Sequence, residues 1–547
     1  MLRSTFLAAA CACFVLESPA TAQSASLASR NPRSDAPRTF DVRQFGAKGD
    51  SVSLDTDAIN RAIDAAAAAG GGTVFFSPGI YSSFSIHLRS NVGLYLEHGA
   101  TLLAANPAER PDAPGYDPAE PGPGNEFQDY GHSHWHNSLI WGENVENVSI
   151  TGPGRIDGRG MSRSIGRETP RAGNKAIALK LARNVTLRDF SILRGAHFGI
   201  LATGVDNMTI DNLTIDTNRD GIDVDACRNV RISNTTVNSP YDDAIVLKAS
   251  YGLGALRGTE NVVITNSIVS GYETGSVLDG SYKPFTEGSS NRDGPTGRIK
   301  LGTESNGPFR NITISNVVFD NSRGLALEAV DGSILEDITI TNITMRHVWT
   351  SPIFMRLGAR QRGPADLPVG TFKRVTISNV IASDADPRYA STITGISGHA
   401  IEDVRLSNIR IQYRGGLTLE HATKQPAEMV RAGERGGGGP RADAYAVAEQ
   451  EKVYPEPSMF GIVPAYGFYV RHVNGLRMDG VEVGFDQDDK RPAFVLDDVK
   501  DAEFHRVRAQ KSPGVPTFVL RDVEEFRVTH SRPIDDKNVA KAKRESY

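Results

Sequence analysis

The chain has 547 residues, of which 39% are hydrophobic and 23% are charged, and its formal net charge is −5 at pH 7. This balance argues against nucleic acid or an anionic membrane as a partner, because both select strongly basic surfaces. A polyanionic substrate stays compatible with the composition if basic residues gather locally. By ordinary domain size the length would suit roughly two to four domains, a count that repetitive folds routinely break.

The N-terminus has the pattern of a secretory signal. A short basic start, Met1–Arg3, precedes an apolar run from Phe6 to Leu16 that is too short to span a bilayer, and Ala20–Ala22 forms a small-x-small cleavage site. We therefore predict a signal peptide over residues 1–22, a flexible linker over residues 23–38 and a periplasmic or secreted protein.

Only one of the three cysteines, Cys227, lies beyond the predicted signal. The mature chain therefore cannot form an internal disulfide, which is typical of a protein stabilised by a large core. Cys227 lies in a strand-like run, where a buried structural thiol is favoured over a nucleophile. Cys11 and Cys13 leave lipidation of the signal region open as an alternative. No second long apolar segment follows in the sequence, so we expect no membrane partner.

The first element predicted after the linker is a helix. Thr56 can N-cap a helix whose apolar residues, from Ile59 to Ala66, recur at i, i+3, i+4 and i+7, and Gly70–Gly72 ends it. A strand-like run, Thr73–Phe76, follows. If the strands form a solenoid, this helix covers the N-terminal end of its core, because solenoids need their apolar ends covered.

A short motif of alternating polar and aliphatic residues then recurs along the chain. It begins at Asn147, Asn184, Asn207, Asn229, Asn261, Asn311, Asp337, Arg374, Asp403 and Gly475. The closest copies, at Asn184, Asn207 and Asn229, are 23 and 22 residues apart. A period in the low twenties with asparagine at a fixed turn position predicts a parallel β-helix, in which each coil supplies several short strands. Leucine-rich repeats share the period, but leucine is scarce at the repeated positions and no helical pattern separates the strands.

Three stretches interrupt the repeat, near residues 105–137, 281–297 and 413–454. They are rich in proline, glycine or polar residues, and insertions of this kind become loops on the flank of a solenoid, where they can wall a groove. We therefore predict one β-helix domain over residues 39–534 with three loop insertions, followed by a charged, frayed tail over residues 535–547.

Two clusters of aspartates lie one repeat apart, and both contain candidate catalytic groups. Asp220 and Asp242 are 22 residues apart, so we expect them on neighbouring coils about 4.8 Å apart before side-chain reach is added. Asp243 can join the same site if the backbone bends after Pro240, since adjacent strand residues otherwise point to opposite faces. Crowded carboxylates raise at least one pKa, and hydrolysis of a glycosidic bond needs acid and base roles divided between neighbouring carboxylates.

A basic pair follows the acidic clusters. In Arg298-Ile299-Lys300 the two cations share one face of a strand while Ile299 faces the core. The planar fork of arginine and the point charge of lysine suit a substrate carboxylate. The alternative is a ladder of salt bridges along the outside of the solenoid.

With these motifs in place, the sequence resembles glycoside hydrolase family 28, the polygalacturonase-like enzymes. The resemblance runs from Phe40–Asp50 to at least Arg356, and its specific parts are Asn218-x-Asp220, Asp242-Asp243 and Arg298-x-Lys300 in the family's order. It implies a right-handed single-stranded parallel β-helix. It also implies an inverting hydrolase that cuts galacturonic acid linkages in pectin and needs neither a metal nor another cofactor.

The resemblance also implies roles for single residues. Asp242 would be the general acid, Asp220 and Asp243 would hold and activate water, and Arg298 and Lys300 would bind a substrate carboxylate beside the cut. An inverting enzyme needs its acid and base carboxyls roughly 6.5–9.5 Å apart to admit a water molecule. Stacked coils together with side-chain length can supply that separation.

Two departures from the family pattern concern the substrate. Arg219 stands in the middle of the first acidic motif where the family has threonine, and we expect it to point away from Asp220 or to pair with a neighbouring acid. The family's Gly-His-Gly phrase should fall near Gly271–Ser276, which contains no histidine. His197, one coil before Asp220, is a candidate to line the groove instead, with a histidine at a turn as the alternative.

Further candidates come from polar residues near these motifs. His132, His134 and His136 share one strand face, but three histidines in a row seldom close a tetrahedral zinc site, so cleft lining is favoured. Glu304, shortly after the basic pair, is a candidate for contact with a sugar hydroxyl. Lys248 is a further cationic candidate, with a salt bridge as the alternative.

These observations together predict a secreted or periplasmic monomer that hydrolyses an acidic polysaccharide or its oligosaccharides, in exo mode if the insertions close one end of the groove. One alternative is a hydrolase of another acidic or rhamnogalacturonan-type glycan. Another is a polysaccharide lyase, which typically uses calcium carboxylates and an arginine or lysine base. The third is a carbohydrate-binding β-helix without activity.

Overall fold

A computed structural model describes residues 38–122, 124–129, 131–163, 170–285, 293–431, 437 and 439–547. The predicted signal peptide and the predicted linker up to residue 37 lie outside these residues, as do parts of the insertions near 281–297 and 413–454. Within the described part of the chain, no helix is long and apolar enough to cross a membrane.

The chain winds into a right-handed parallel β-helix, which confirms the predicted fold class. Its coils build three sheets, here called sheets A, B and C. Sheet A contains Ile86–His87, Ile140–Glu143, Lys175–Lys180, Phe198–Thr203, Asp220–Asp225, Ile245–Ala249, Ile299–Ser305, Leu325–Ala329, Ile353–Leu357 and Ser391–Thr394. Sheet B begins with Thr39–Asp41, Gly72–Phe76, Val92–Leu96, Glu146–Thr151, Arg183–Arg188, Asp206–Asp211 and Arg228–Ser233. Sheet C begins with Asp50–Leu54, Gly79–Ser83, Ala100–Ala104, Arg155–Asp157, Ser191–Leu193, Thr214–Asp216 and Thr236–Asn238.

Further along the chain, long strands run through sheets B and C without a break. They are Thr259–Ser270, Phe309–Ser322, Ile334–Val348, Thr371–Ala385 and Ile401–Gly415. The last coils consist of Phe468–Gln487, Phe494–His505, Arg508–Ala509 and Phe518–Thr529. Short helical segments lie at Val42–Phe45, Pro107–Glu109, Asn125–Phe127, Leu419–Lys424 and Pro457–Phe460.

The register of sheet A decides which side chains face the core. Ile200, Ile222, Ile245 and Ile299 are aligned on successive coils, and each is fully buried. Because strand residues alternate between faces, the residues beside these isoleucines point away from the core. Sheet A therefore presents columns of outward side chains along the solenoid. One of them aligns Asp223 with Val246 and Lys300 on the next two coils.

The N-terminal end of the core is covered by the helix Thr56–Ala68, which buries Ile59, Ala62 and Ile63 against the first coils. The predicted cap at Thr56 is wrong by one residue, since Asp55 is the N-cap and Thr56 is the first helical residue. Asp55 makes no side-chain cap because its carboxylate accepts the backbone N–H groups of Lys48 and Gly49, at 2.7 and 3.0 Å.

The C-terminal end differs from the predicted frayed tail. Lys537–Ser546 forms a strand that pairs antiparallel with Phe518–Thr529. Ala542 is fully buried while its charged neighbours face solvent, so this strand covers the edge that the last coil would otherwise leave open. The structural role predicted for Cys227 is consistent with its position, because the thiol is fully buried and burial raises its pKa to about 12.

Asparagines stack along the turns between sheets A and B. Asn184, Asn207 and Asn229 all have left-handed backbones, with φ of 55°, 57° and 57°. The side-chain amide of each donates to the side-chain carbonyl oxygen one coil earlier, for example from Asn229 to Asn207 at 3.1 Å and from Asn207 to Asn184 at 3.0 Å. Asparagine tolerates this backbone better than other residues with a β-carbon, which is why the repeat carries it at this turn.

This ladder predicts a stability effect at Asn207. Asn207→Ala forces alanine into the left-handed region and removes both ladder hydrogen bonds, so we expect the free energy of unfolding to fall by about 2 kcal/mol. Asn207→Gly removes the hydrogen bonds but not the backbone freedom, and should lose about half as much. Urea unfolding followed by circular dichroism measures both. Equal losses in the two variants would contradict the backbone argument.

Candidate active site

The two acidic segments lie on neighbouring coils, as their spacing predicts. The backbone N–H of Gly221 donates to the carbonyl oxygen of Asp243 at 3.0 Å, which fixes one segment beside the other. One carboxylate oxygen from each of Asp220, Asp242 and Asp243 lies within 4.8 Å of the others. The predicted bend is also present, because the chain from residue 239 to residue 244 is outside any strand. Both adjacent aspartates therefore join one cluster.

Asp243 is kept ionised by two buried cations. The Nε of Arg298 donates to its Oδ1 at 2.8 Å, and the Nζ of Lys300 lies 3.2 Å from its Oδ2. Burial raises the pKa of Asp243, but the charges of Lys300 and Arg298 outweigh burial and hold the pKa well below its usual value. Asp243 therefore stays a carboxylate across the physiological range.

Asp220 has the opposite electrostatic surroundings. Burial, together with the negative charges of Asp223 and Asp242, raises the pKa of Asp220 well above its usual value. Burial likewise raises the pKa of Asp223, although Lys248 opposes the shift. The cleft therefore holds a carboxyl that favours its proton beside a carboxylate that does not, which is the division that acid and base catalysis requires.

Asp242 is the most accessible of the three, with 28% of its side chain exposed. Its Oδ2 accepts a hydrogen bond from the Nη2 of Arg219, whose side chain is 20% exposed. Of the two alternatives predicted for Arg219, pairing with a neighbouring acid is the one that the structure shows. A substrate that enters the cleft meets this exposed ion pair first.

Arg298 and Lys300 point away from the core, with Ile299 buried between them, as predicted. Arg298 nevertheless has only 1% of its side chain exposed, because its Nη2 and Nη1 lie 2.7 and 3.2 Å from the two oxygens of Glu456. Lys300 is 3% exposed and donates to the hydroxyl of Tyr454 at 3.2 Å. Their predicted contact with a substrate carboxylate stays a prediction, and at Arg298 it requires Glu456 to leave.

Glu304 and Lys248 form an ion pair, with the Nζ of Lys248 2.8 Å from Oε2 of Glu304. The carboxylate of Glu304 is 2% exposed and faces Lys248, and the predicted sugar contact at Glu304 stays a prediction. The salt bridge that was the alternative for Lys248 is present. The Nζ of Lys248 also lies 3.8 Å from Oδ2 of Asp223, so its positive charge lies beside the acidic residues of the cleft.

His197 is 2% exposed, and its ring centre lies 6.1 Å from that of His132. His132 reaches the acidic cluster directly, since its Nε2 lies 3.7 Å from Oδ2 of Asp223. Burial, with help from the charge of Lys248, lowers the pKa of His132 to about 4, so its imidazole is neutral at physiological pH. Two buried histidines therefore lie beside the aspartates, although the Gly271–Ser276 segment has none.

The three histidines of the 132–136 segment do not converge on one point. His134 contacts the carbonyl oxygen of Glu120 through Nδ1, whereas Nε2 of His136 lies 2.9 Å from Glu143. Only His132 therefore lines the cleft. Among the described residues, two groups are close enough to hold a cation: His132 with Asp220 and Asp223, and Asp220 with Asp242 and Asp243. Arg219, Arg298 and Lys300 already face these carboxylates, so side-chain cations balance their charge.

Two insertions cover the outward face of sheet A on either side of this cluster. On earlier coils, Trp135 packs against Phe198 and Leu201. On later coils, Phe354 and its neighbours pack against Met459 and Phe460 of the segment 445–465. In the part of the chain that the structure describes, these two covers flank the face beside Asp242, the most exposed of the three clustered aspartates.

The sequence did not predict Asp223, Tyr454 and Glu456 as functional residues. It also did not predict that His132, and neither His134 nor His136, would be the histidine beside Asp223. Asp223 lies within the first acidic motif, so its place on the outward face of sheet A could have been read from strand alternation. Glu456 is 158 residues from Arg298 in sequence. Its position depends on how an insertion folds back, for which no local pattern exists.

Comparisons with known proteins agree with this geometry. Residues 123–281, which include the three clustered aspartates, match the model of glycosyl hydrolases family 28, and residues 39–96 match that of rhamnogalacturonase A/epimerase, pectate lyase-like proteins. A probable polygalacturonase of Vitis vinifera is 23% identical over 395 residues, which cover 67% of this chain and 73% of that protein. An exo-poly-alpha-D-galacturonosidase of Dickeya chrysanthemi is 24% identical over 418 residues, which cover 67% of this chain and 65% of that protein.

The fold has solved counterparts as well. A hyperthermoactive exopolygalacturonase of Thermotoga maritima aligns with a TM-score of 0.55 at 20% identity, over 69% of this chain and 87% of that structure. These matches confirm the resemblance to glycoside hydrolase family 28. They also confirm the prediction of a polygalacturonase-like glycosyl hydrolase.

The raised pKa of Asp223 predicts how a substitution changes stability with pH. An acid whose folded pKa lies above its unfolded value of 3.8 binds more protons in the folded state, so its contribution to stability falls as pH rises through that interval. Asp223→Asn removes this loss. The stability of the variant relative to the parent should therefore increase between about pH 4 and pH 7 in thermal unfolding.

The matched control for that experiment is Asp479→Asn. A hydrogen bond from Arg506 lowers the pKa of Asp479, so the parent gains stability from this group as pH rises. That gain is complete above about pH 4, so the stability of the Asp479 variant relative to the parent should stay nearly constant between pH 4 and pH 7. Parallel pH profiles for the two variants would contradict the assignment at Asp223.

The buried pair of Arg298 and Glu456 predicts a large stability effect. Glu456→Gln keeps the shape of the side chain but removes one of the two carboxylates that neutralise Arg298. We expect the free energy of unfolding to fall by about 3 kcal/mol, since breaking a buried ion pair leaves charge uncompensated. Glu428→Gln, at an exposed position of the same insertion, should leave urea unfolding unchanged. A Glu456 variant that matches this control would show that the pair contributes nothing.

Proposed function

We propose that this protein is an inverting glycoside hydrolase that cleaves α-linked galacturonic acid linkages in pectic polysaccharides or oligosaccharides. The observation that carries the proposal is the cluster of Asp220, Asp242 and Asp243, in which groups of opposite protonation preference lie within 4.8 Å of one another. The curated relatives named polygalacturonases support the substrate class. The N-terminal signal pattern supports secretion or export to the periplasm.

In this mechanism Asp242 is the general acid. Asp220, whose raised pKa keeps a proton in the cluster, passes that proton to Asp242 as Arg219 releases Asp242, and Asp242 donates it to the oxygen of the glycosidic bond as that bond breaks. A water molecule between Asp220 and Asp243 attacks the anomeric carbon from the opposite face, and Asp243 accepts the proton that the water loses. Two oxygens up to 4.8 Å apart can both hydrogen-bond one water, because such bonds are about 2.7–2.8 Å long. Arg298 and Lys300 keep Asp243 ionised, so its carboxylate can accept a hydrogen bond and then the proton from the water.

The stereochemistry rests on the family resemblance. The nearest oxygens are closer than the roughly 6.5–9.5 Å that separates the carboxyl groups of typical inverting enzymes. A direct measurement therefore decides this part of the proposal. Proton NMR of the hydrolysis, recorded within minutes of mixing, should show the β-anomer of the new reducing end first. Initial appearance of the α-anomer would contradict inversion.

Exo action is supported by the two covers on sheet A. Among the described residues, Trp135 lies over the earlier coils and Met459 and Phe460 lie over the later ones, where both would obstruct a long polymer on sheet A. A chain end can enter where the middle of a polymer cannot. The enzyme should release mono- or disaccharides from polygalacturonate from the first minutes while viscosity falls slowly. An early rapid drop in viscosity would favour endo action.

Substitution of the proposed acid tests the mechanism. Asp242→Asn keeps the size of the side chain and its contact with Arg219 but cannot supply a proton, so kcat should fall by about 10³-fold with little change in KM. Asp498→Asn, at a distant exposed position, is the control and should be fully active. Turnover by Asp242→Asn at the parental rate would remove Asp242 from the acid role.

A second candidate is a hydrolase whose substrate has a neutral sugar next to the uronic acid, as in rhamnogalacturonan. The observation that favours it is the contact between Glu456 and Arg298, because a carboxylate of the protein already occupies the guanidinium. A mixture of galacturonan and rhamnogalacturonan oligosaccharides, with products separated by chromatography, distinguishes the two. If the galacturonan oligosaccharides in the mixture are hydrolysed and the rhamnogalacturonan oligosaccharides are not, the first candidate is supported.

A further inference from the structure

A cavity of about 550 Å³ lies against the catalytic cluster on its sheet C side. Its volume is in the range of small-molecule sites, about 300–1,000 Å³. Asn218 and Tyr241 line it, and they precede Asp220 and Asp242 by two residues and one residue. A sugar bound in this cavity would therefore be the neighbour of a sugar bound over the catalytic aspartates.

The cavity is lined by three arginines, Arg159, Arg163 and Arg194, and among its described lining residues Glu273 is the one carboxylate. The side chains of Arg159 and Arg194 are 60% and 45% exposed. They are thus available to a ligand, in contrast to Arg298 at 1% and Lys300 at 3%. This cavity therefore adds accessible positive charge to that of Arg219, which is 20% exposed and paired with Asp242.

A buried carboxylate holds two of these arginines from behind. Asp157 is 2% exposed, accepts a hydrogen bond from the Nε of Arg159 at 2.9 Å, and lies 3.9 Å from Nη1 of Arg194. Because Asp157 is buried, its charge fixes the two guanidinium groups in place without itself facing the cavity. A ligand carboxylate would therefore meet arginines that are already oriented, which lowers the entropic cost of binding.

The opposite wall is aromatic. Tyr241 and Phe285 pack edge to face with ring centres 4.9 Å apart, and the guanidinium of Arg163 lies 5.5 Å from the centre of the Tyr241 ring. An aromatic wall can contact the apolar face of a pyranose ring while the arginines contact a charged substituent on its edge. A uronic acid presents both features in one residue.

We propose that Arg159, Arg163 and Arg194 form a subsite that binds the carboxylate of a uronic acid residue adjacent to the cleaved bond. This inference rests on the proposed function and deepens it. The arginines of this cavity are exposed to the charge of that residue, whereas Arg298 and Lys300 are paired with Asp243 and the segment 445–465 in the free protein. The subsite suits both candidate substrates, since each has a uronic acid on one side of the cut.

The test compares Arg163→Gln, Arg194→Gln and the double variant with Arg231→Gln, an exposed arginine on sheet B that makes the same change in charge far from the cavity. Arg159 is left intact because it also neutralises Asp157. On unesterified galacturonate oligosaccharides we expect KM to rise about tenfold for each single variant and about a hundredfold for the double variant, with smaller changes in kcat. On carboxyl-reduced oligosaccharides the variants should match the parent. The proposal would be overturned if the Arg163 and Arg194 variants had the same KM as the Arg231 variant. It would also be overturned if they lost equal activity on the charged and the carboxyl-reduced substrates.

Binding separates this inference from the proposed function. Isothermal titration calorimetry with trigalacturonate and the Asp242→Asn protein measures affinity without turnover. Binding that weakens in the Arg163 and Arg194 variants supports the subsite even if the parent enzyme does not hydrolyse galacturonan, which would refute the substrate assignment alone. Binding unaffected by both substitutions, or absent from the Asp242→Asn protein itself, would overturn the subsite.

Discussion

The in-register stacking of parallel coils is the constraint on which this structure depends. Each side chain of a coil lies one strand spacing, about 4.8 Å, from its counterparts on the coils before and after it. Aliphatic residues in such columns build a core at low cost, and asparagines in them exchange amide hydrogen bonds. The same geometry forces ionisable side chains into contact, so every charge in a column must be balanced by a neighbour.

The catalytic cluster follows from this rule. Three aspartates brought together by two adjacent coils would repel one another, and cations from several parts of the chain offset this repulsion. Arg219 comes from within the first acidic motif, Lys300 from a later coil, and Lys248 from the strand between them. Because the cations are distributed unevenly, one carboxyl keeps its proton while another loses it. The difference in protonation that hydrolysis needs is thus a consequence of where the counter-charges lie.

What the sequence could predict is what the repeat determines. The period places Asp220 beside Asp242, the alternation of the strand turns Arg298 and Lys300 outward, and the amphipathic pattern finds the helix that begins at Thr56. None of these needs knowledge of distant contacts. Glu304 shows the limit, since its outward position is set by alternation but its partner, Lys248, is 56 residues earlier. Tyr454 and Glu456 lie beyond that limit altogether, because they belong to an irregular segment whose path over sheet A is set by packing against Phe354 and its neighbours.

Glu456 lies on a segment outside the solenoid, whereas the cation that it contacts, Arg298, lies on a coil, so the two positions differ in how freely they can change. Arg298 and Lys300 cannot move without disturbing the register of the coils on either side, whereas Glu456 is carried by a segment outside the solenoid. A single substitution or a shortened loop there would expose two oriented cations next to the catalytic aspartates and leave every coil intact. The binding preference of this scaffold can therefore be rewritten from its periphery, with the acid and base chemistry left in place.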